Sequence, residues 1–408
     1  MADGALTDTA APRGWASWSD WARIGIVYAA ARIVTTGFLV LAGEMSGPLS
    51  RFGENAGIGD FVLAWDAQWY WFVAVNGYPS TLPLTPDGLV AENQWAFMPL
   101  FAYLAWAVGA AFGSWGVGAF LVSIVSGYLA CVVLYRLLRL RQDVATSTWA
   151  TLFFAAGPLA ALSQVGYAES LFLLWLFLAL YNVERRRFGW LYLLIPLMGY
   201  TRPGVLAFAL FLGLYGIWRW CVRARDPLPA RQIVHIVALG ALAVAVGFSW
   251  QILAGLVTGD PGAYLATELA WRRNWIPDSS GGFFPLEGFL QGVAFWFTWW
   301  GLGEVTGYVV LALVVVAIAS LLLFEPHVRR LGVELRLWTA SYLVYLLAVF
   351  FPQSSLFRLL VPVSPLWGAL AMPRSRLWRI GVLAACLVGQ WWWIYNMYAL
   401  ANALWQIP

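Results

Sequence analysis

Lysine is absent from this chain. All 24 basic residues are arginine, set against 20 carboxylates, and charged residues are only 11% of the 408. A soluble domain carries about 25% charged residues, so a soluble enzyme with a solvated surface is excluded. Histidine is nearly absent as well. His235 and His327 lie beside arginine clusters, which leaves little material for a His-ligated metal site or a His-centred triad. Cysteine is scarce: Cys131, Cys221 and Cys386 all fall in apolar runs and form neither a CxxC pair nor a disulfide framework. A formal charge of +4 is no sign of a nucleic-acid surface. The residues before Trp15 are polar and lack the apolar core of a signal peptide, so the first hydrophobic helix is expected to stay in place.

What is abundant is apolar surface. Hydrophobic residues make up 62% of the chain and the mean hydropathy is +0.72. Long apolar runs recur from Ile24 to the C-terminus, which predicts an all-α polytopic membrane protein. A tail over 1–23 precedes one membrane domain over 24–408. Candidate spans are 24–43, 116–138, 145–163, 169–183, 188–201, 203–220, 232–256, 304–324, 337–352, 358–372 and 380–400, about eleven transmembrane helices. Several are shorter than the ~20 apolar residues a full crossing needs, so their ends must lean on protein or hydrated cavities.

The arginines orient these spans. Cytoplasmic loops concentrate positive charge. Eighteen arginines fall on one side: Arg13, Arg23 and the clusters around Arg139, Arg186, Arg223, Arg330 and Arg376. That side is expected to be cytoplasmic, with the protein in the plasma membrane. The opposite loops hold only Arg51, Arg202, Arg272, Arg273 and Arg358, with twelve of the carboxylates. Two outer loops are long, 44–115 and 257–303, and are expected to carry juxtamembrane helices. Within the first, 96–112 reads as an interfacial or re-entrant helix opened by Pro99. As a full crossing it would place the later arginine clusters outside.

The first outer loop contains FVLAWDAQWYWFVAVNGYPS, from Phe61 to Ser80. Asp60 is placed to cap a helix beginning at Phe61. On that helix Asp66, Trp69, Tyr70 and Val73 share a face, and Gly77 and Pro79 are stop signals. One reading is an aromatic belt helix with a surface acid. The other is a functional acid held among rings at the membrane boundary. The residues alone leave both open.

The run WDAQWYWFVAVNGYP is followed by AFMPLFAYLAW, then GPLAALSQVGYAESLFLLWLFLAL, GYTRPGVLAFAL and PQSSLFRLLVPVSPLW. These blocks, in this order, resemble the PIG-V-like mannosyltransferases, which add the second mannose in GPI-anchor assembly, and their bacterial relatives. The departures are Gly157 where that family often has Asn, and Met98 and Ala102 in the second block. The absence of lysine and the Ala/Arg/Trp-rich usage point to a GC-rich, actinobacterial source.

The resemblance implies a GT-C glycosyltransferase fold with a catalytic acid in the first outer loop. It implies transfer of mannose from a polyprenyl-phosphate mannose to a lipid-anchored glycan or glycolipid, with inversion to an α-mannoside. Asp66 takes the role of general base, because only a carboxylate is available on that face to take the proton of the attacking hydroxyl. Its aromatic neighbours would desolvate it and make it a better acceptor. Trp65, Gln68 and Tyr70 flank it as substrate-binding candidates. The lipid phosphate calls for Arg202, Arg272, Arg273 or Arg358, each equally readable as an interface anchor. Glu169 matches the family's E-S pair and is a sugar-binding or second-base candidate; otherwise it is an acid favoured by a helix N-terminus. Tyr167, Gln164 and Gln353 are weaker partners. Trp271, Trp275 and Phe283 suit sugar stacking or plain loop packing, and SSGGFF from Ser279 reads as a lid.

No cofactor is expected. Asp66, Asp87 and Glu92 form no spaced metal motif, although a divalent metal stays an alternative. Two other functions compete: a transporter or flippase for lipid-linked sugars, and a non-catalytic scaffold of an envelope glycan pathway. A transporter would show internal repeats, and none is visible.

Overall fold

A computed structural model describes residues 18–277 and 284–402. Arg13, Phe283 and the run from Ser279 lie outside the described residues. The described chain is helical without strands; Leu84 and Val90 form one isolated antiparallel bridge.

Helix starts follow their caps. α1 (Asp20–Glu44) begins at Ser19, whose hydroxyl accepts from the Ala22 N–H at 3.2 Å. Two short helices follow in the first long loop, α2 (Ile58–Val62) and α3 (Asp66–Asn76). α4 (Pro99–Gly109) has Pro99 in its first turn, as expected, and α5 (Trp115–Leu138) opens at the Ser114 cap. At 11 residues α4 is about 17 Å long, short of a bilayer core. It lies directly against α5. A Cβ at Gly118 would stand 2.0 Å from the Ala105 carbonyl oxygen, so only glycine permits this approach.

The middle of the bundle comprises α6 (Val144–Ala155), α7 (Glu169–Glu184), α8 (Leu191–Gly199), α9 (Val205–Cys221) and α10 (Ala230–Thr258). α7 is apolar all round between its terminal acids and is buried on nearly every side, as a central helix must be. The second long loop contributes α11 (Ala263–Arg273) and α12 (Glu287–Trp299). α13 (Glu304–Phe324), α14 (Pro326–Arg330), α15 (Val333–Val349), α16 (Leu356–Leu359), α17 (Trp367–Ala371) and α18 (Arg376–Ile394) complete the chain. α1, α5, α10, α13 and the segment Arg376–Leu400 are each long and apolar enough to cross a membrane. The chain is a membrane protein. The larger core joins α5 to α9 with α15; a second surrounds α3, α4 and the start of α7.

Three expected continuous helices are broken. The span 145–163 stops at Ala155 and resumes as a 3-10 turn at Ala160–Ser163. Pro158 has no N–H to continue the ladder and biases Gly157 out of the helical region. The carbonyls of Ala155 and Ala160 accept instead from the Arg32 guanidinium, which lies 5.0 Å over the Tyr28 ring. The span 358–372 is likewise split at Pro362 and Pro365. The third break corrects the helix expected from Phe61. Asp60 accepts from the Gly57 N–H at 2.8 Å within α2, the chain turns at Trp65 with φ +55°, and a new helix starts at Asp66.

Candidate active site

Four charged side chains meet at one end of the bundle. Asp66 is the first residue of α3, and Glu169 is the first of α7. Arg202 lies in the turn between α8 and α9, and Arg358 on α16. Arg358 pairs with Asp66 and with Glu169, the latter at 3.3 Å, and Arg202 pairs with Glu169. The charges alternate along the chain Asp66, Arg358, Glu169, Arg202, so the group is neutral as a whole. Glu169's side chain is only 2% exposed, Arg358's 9% and Arg202's 14%, whereas Asp66's is 24% exposed. Asp66 is therefore the member of the set that an incoming molecule reaches first.

Each member is held by its own scaffold. Trp65 donates its indole N–H to the Met397 carbonyl at 3.1 Å, and Arg51 covers the ring at 4.5 Å. These contacts fix a bulky residue in left-handed backbone, an uncommon and costly conformation, immediately before Asp66. Tyr70 anchors α3 on α4 through Phe97 and Phe101, with ring centroids 5.2 and 5.1 Å away. Ser123 donates to the Tyr167 carbonyl at 3.2 Å, which seats the turn before Glu169. Trp338 and Tyr342 of α15 donate to the Pro362 and Leu359 carbonyls at 2.9 and 2.7 Å, and so position α16.

Two tyrosines complete the polar wall. Arg358 lies 5.2 Å over the Tyr167 ring, and Tyr70 faces the same four charges. Burial pushes both hydroxyls well above their ordinary range. They stay neutral at physiological pH, so neither is a base. The Arg358 Nε is a buried donor with no partner among the described residues.

An apolar cavity of about 480 Å³ has Glu169, Ser170 and Ser163 as its polar lining, among others. Leu173, Phe357, Leu360, Trp367 and Trp392 line its length. The site thus joins a charged end to a greasy one, a form suited to an amphiphile with an anionic head.

The other candidates stand elsewhere or in different contacts. Trp65 turns toward Met397 and Arg51 and away from the charges. Gln68 is exposed and reaches only Arg51, at 3.5 Å. Arg272 pairs with Glu287 at 3.8 Å, Arg273 donates to the Val90 carbonyl, and Gln353 accepts from the Trp275 indole at 2.8 Å. These three brace the second long loop within itself, against the first long loop at Val90 and against the turn before α16 at Gln353. Gln164 donates to Thr36 at 2.7 Å. The aromatic shield expected around Asp66 is only partial, because an arginine occupies the carboxylate directly.

No protein-family model and no curated protein matches the sequence. Among solved structures the chain is similar to ArnT from Cupriavidus metallidurans bound to undecaprenyl phosphate. The TM-score is 0.51 at 15% identity, over 90% of this chain and 63% of that one. The fold is that of the GT-C membrane glycosyltransferases. The chain spans less than two thirds of that protein's length. Two structures of the oligosaccharyltransferase from Archaeoglobus fulgidus also align. One, with Zn and sulfate, gives a TM-score of 0.44 at 15% identity, over 91% of this chain and 53% of that one. The other, AglB with an inhibitory peptide and a dolichol-phosphate, gives 0.41 at 12%, over 92% and 56%.

Sequence reasoning passed over one acid of this region. Glu268 lies on α11 within electrostatic reach of Asp66. Its only signal was the ELAWRRNW block, where an acid four residues before an arginine reads as an ordinary helix pair.

Proposed function

We propose that the chain transfers a sugar from a polyprenyl-phosphate donor to an acceptor hydroxyl, with Asp66 as general base. The observation that carries this reading is the neutral chain of Asp66, Arg358, Glu169 and Arg202, whose Glu169 also lines an apolar cavity. A lipid phosphate entering there competes with the carboxylates for the two guanidinium groups. Arg358 has a free Nε to offer it, and a guanidinium binds phosphate through paired N–H donors. As Arg358 turns to the phosphate, Asp66 is released to accept the proton of the attacking hydroxyl. The new glycosidic bond forms as the bond from the sugar to the phosphate oxygen breaks. The phosphate leaves with the electron pair, balanced by the arginines.

A single displacement of this kind inverts the anomeric centre. Mannose as the sugar, an α-linkage and a lipid-anchored acceptor rest on the sequence blocks that resemble the PIG-V-like enzymes. A polyprenyl-phosphate donor is supported by the undecaprenyl phosphate held in the ArnT structure of the same fold. The arginine-poor loops around the site favour the outer face of the membrane for the reaction, with the arginine-rich side in the cytoplasm.

The test is direct. Purified protein is given polyprenyl-phosphate mannose and glycolipid acceptors, and product is read by mass spectrometry. Mannosylated lipid is expected from the wild type and at least about a hundredfold less from Asp66→Asn at unchanged monodispersity. Full activity in Asp66→Asn would remove the base assignment. Lipid scrambling without transfer would favour a transporter.

A further inference from the structure

The second long loop brings another carboxyl to Asp66. Trp271 of α11 packs on Trp69 of α3, ring centroids 5.7 Å apart, and on Phe97 at 5.9 Å. Asn93 donates to Thr267 at 2.8 Å on another side of α11, which fixes its rotation. Glu268 lies three residues before Trp271, and Asp66 lies three before Trp69. Residues three apart share a helix face. The crossed tryptophans therefore carry both acids toward one space.

Glu268 is exposed and stands within electrostatic reach of Asp66 and Tyr345. Its ionisable neighbours are Tyr264 on its own helix, Asp66 on α3 and Tyr345 on α15, with Arg202 beyond Tyr345. The half of α10 from Val246 to Thr258 has no ionisable residue. Arg272, four residues on, is drawn away to Glu287. The two arginines of the site are already matched by Asp66 and Glu169. Among the described residues Glu268 forms no ion pair, and Glu92, the other acid against α11, accepts from the Asn274 amide.

We propose that Glu268 binds a hydroxyl of a sugar held against Asp66 and so positions it for transfer. This rests on the glycosyltransferase reading. A neutral carboxyl both donates and accepts, which suits a sugar hydroxyl. A second anion beside Asp66 and an arriving phosphate would raise the energy of the loaded site. Desolvation by the surrounding protein pushes the Glu268 carboxyl up to about 7, against a hydrogen bond with Tyr264 that lowers it and with a smaller upward push from Asp66. The group is protonated below that pH and ionised above it. Transfer should therefore decline as pH rises through about 7.

The experiment compares wild type, Glu268→Gln and Glu268→Ala in the transfer assay from pH 5.5 to 8.5, with donor and acceptor varied separately. Glu268→Gln imitates the protonated form. It should stay within about threefold of wild type at pH 6.5 and lose the alkaline decline. Glu268→Ala should lose about 10- to 30-fold in kcat/KM, the worth of one or two hydrogen bonds. A loss seen in the donor KM assigns the hydroxyl to the transferred sugar; one in the acceptor KM assigns it to the acceptor. Both support the proposal. Infrared spectra of wild type should show a protonated-carboxyl band that fades between pH 6 and 8 and is missing from Glu268→Gln. The proposal is overturned if both variants match wild type at every pH, or if Glu268→Gln is as inactive as Glu268→Ala throughout. A wild-type protein that transfers nothing retires the enzyme reading and this role together. That outcome is distinct from an active wild type with indifferent variants.

Discussion

Glu169 and Glu184 stand at opposite ends of α7, about 22 Å apart along its axis, and each meets arginines from distant parts of the chain. Glu184 is paired with Arg141 at 2.5 Å, and Arg141 also reaches Glu334 at 2.9 Å. There a single arginine, 40% exposed, closes over two carboxylates and ties the turn after α5 to α7 and α15. At the other end two arginines and two acids alternate in a nearly closed setting, with an apolar cavity beside them. The same residue types on the same helix make an exposed clasp at one end and a poised ligand site at the other. What separates them is the exposure of the arginine, 40% for Arg141 against 9% for Arg358, and the exchangeability of partners. Arg141 has nothing better to bind than its carboxylates. Arg358 has a phosphate-sized alternative within its chemistry.

Substitutions at the two ends should differ accordingly. The largest effect is expected at Asp66, where asparagine should lower transfer about 10²- to 10⁴-fold, the usual worth of a positioned base, with little change in Tm. Arg358→Met comes next. It leaves Asp66 and Glu169 without their common cation, and breaking a buried pair costs about 3–5 kcal/mol. Thermal unfolding in detergent should show a large drop in Tm together with lost activity. Arg358→Lys sharpens the comparison: it keeps the charge but loses the fork, so the fold should survive while the donor KM rises about tenfold. Arg141→Ala strands two carboxylates that are only 9% and 10% exposed, so it should lower Tm as well, yet leave kcat unchanged. An Arg141 variant with intact Tm and lost transfer would break the distinction between the two ends.

Much of this architecture was legible in the sequence, for physical reasons that differ from place to place. The apolar runs declare the bundle because a membrane leaves few other options for them. The Pro99 start of α4 was visible because proline acts locally. The turn at Trp65 was not, since nothing in a tryptophan announces left-handed backbone; contacts from Arg51 and Met397 impose it. The pairing of Asp66 with Arg358 spans 292 residues, and one sequence holds no record of such contacts. Gln353, Arg272 and Arg273 looked as suitable as Arg358 by type and loop. Only tertiary packing separates the residue that meets Asp66 from those that brace a loop. Glu268 escaped notice for the opposite reason: its helix offered a plausible partner at i+4, and the fold sends that partner elsewhere.

The guanidinium of Arg32 has a consequence for biogenesis. The carbonyls of Ala155, at the end of α6, and of Ala160, in the turn after it, accept from a side chain of α1, which is synthesised more than a hundred residues earlier. A half-helix with bare carbonyls is a poor guest in lipid. α6 can settle only where α1 already waits with its charge, and that charge finds its own shelter only when α6 arrives. Each segment is the other's entry permit, which orders insertion and gives a quality-control system a clear mark of failure. An Arg32→Leu chain should be made at a normal rate and cleared before it matures.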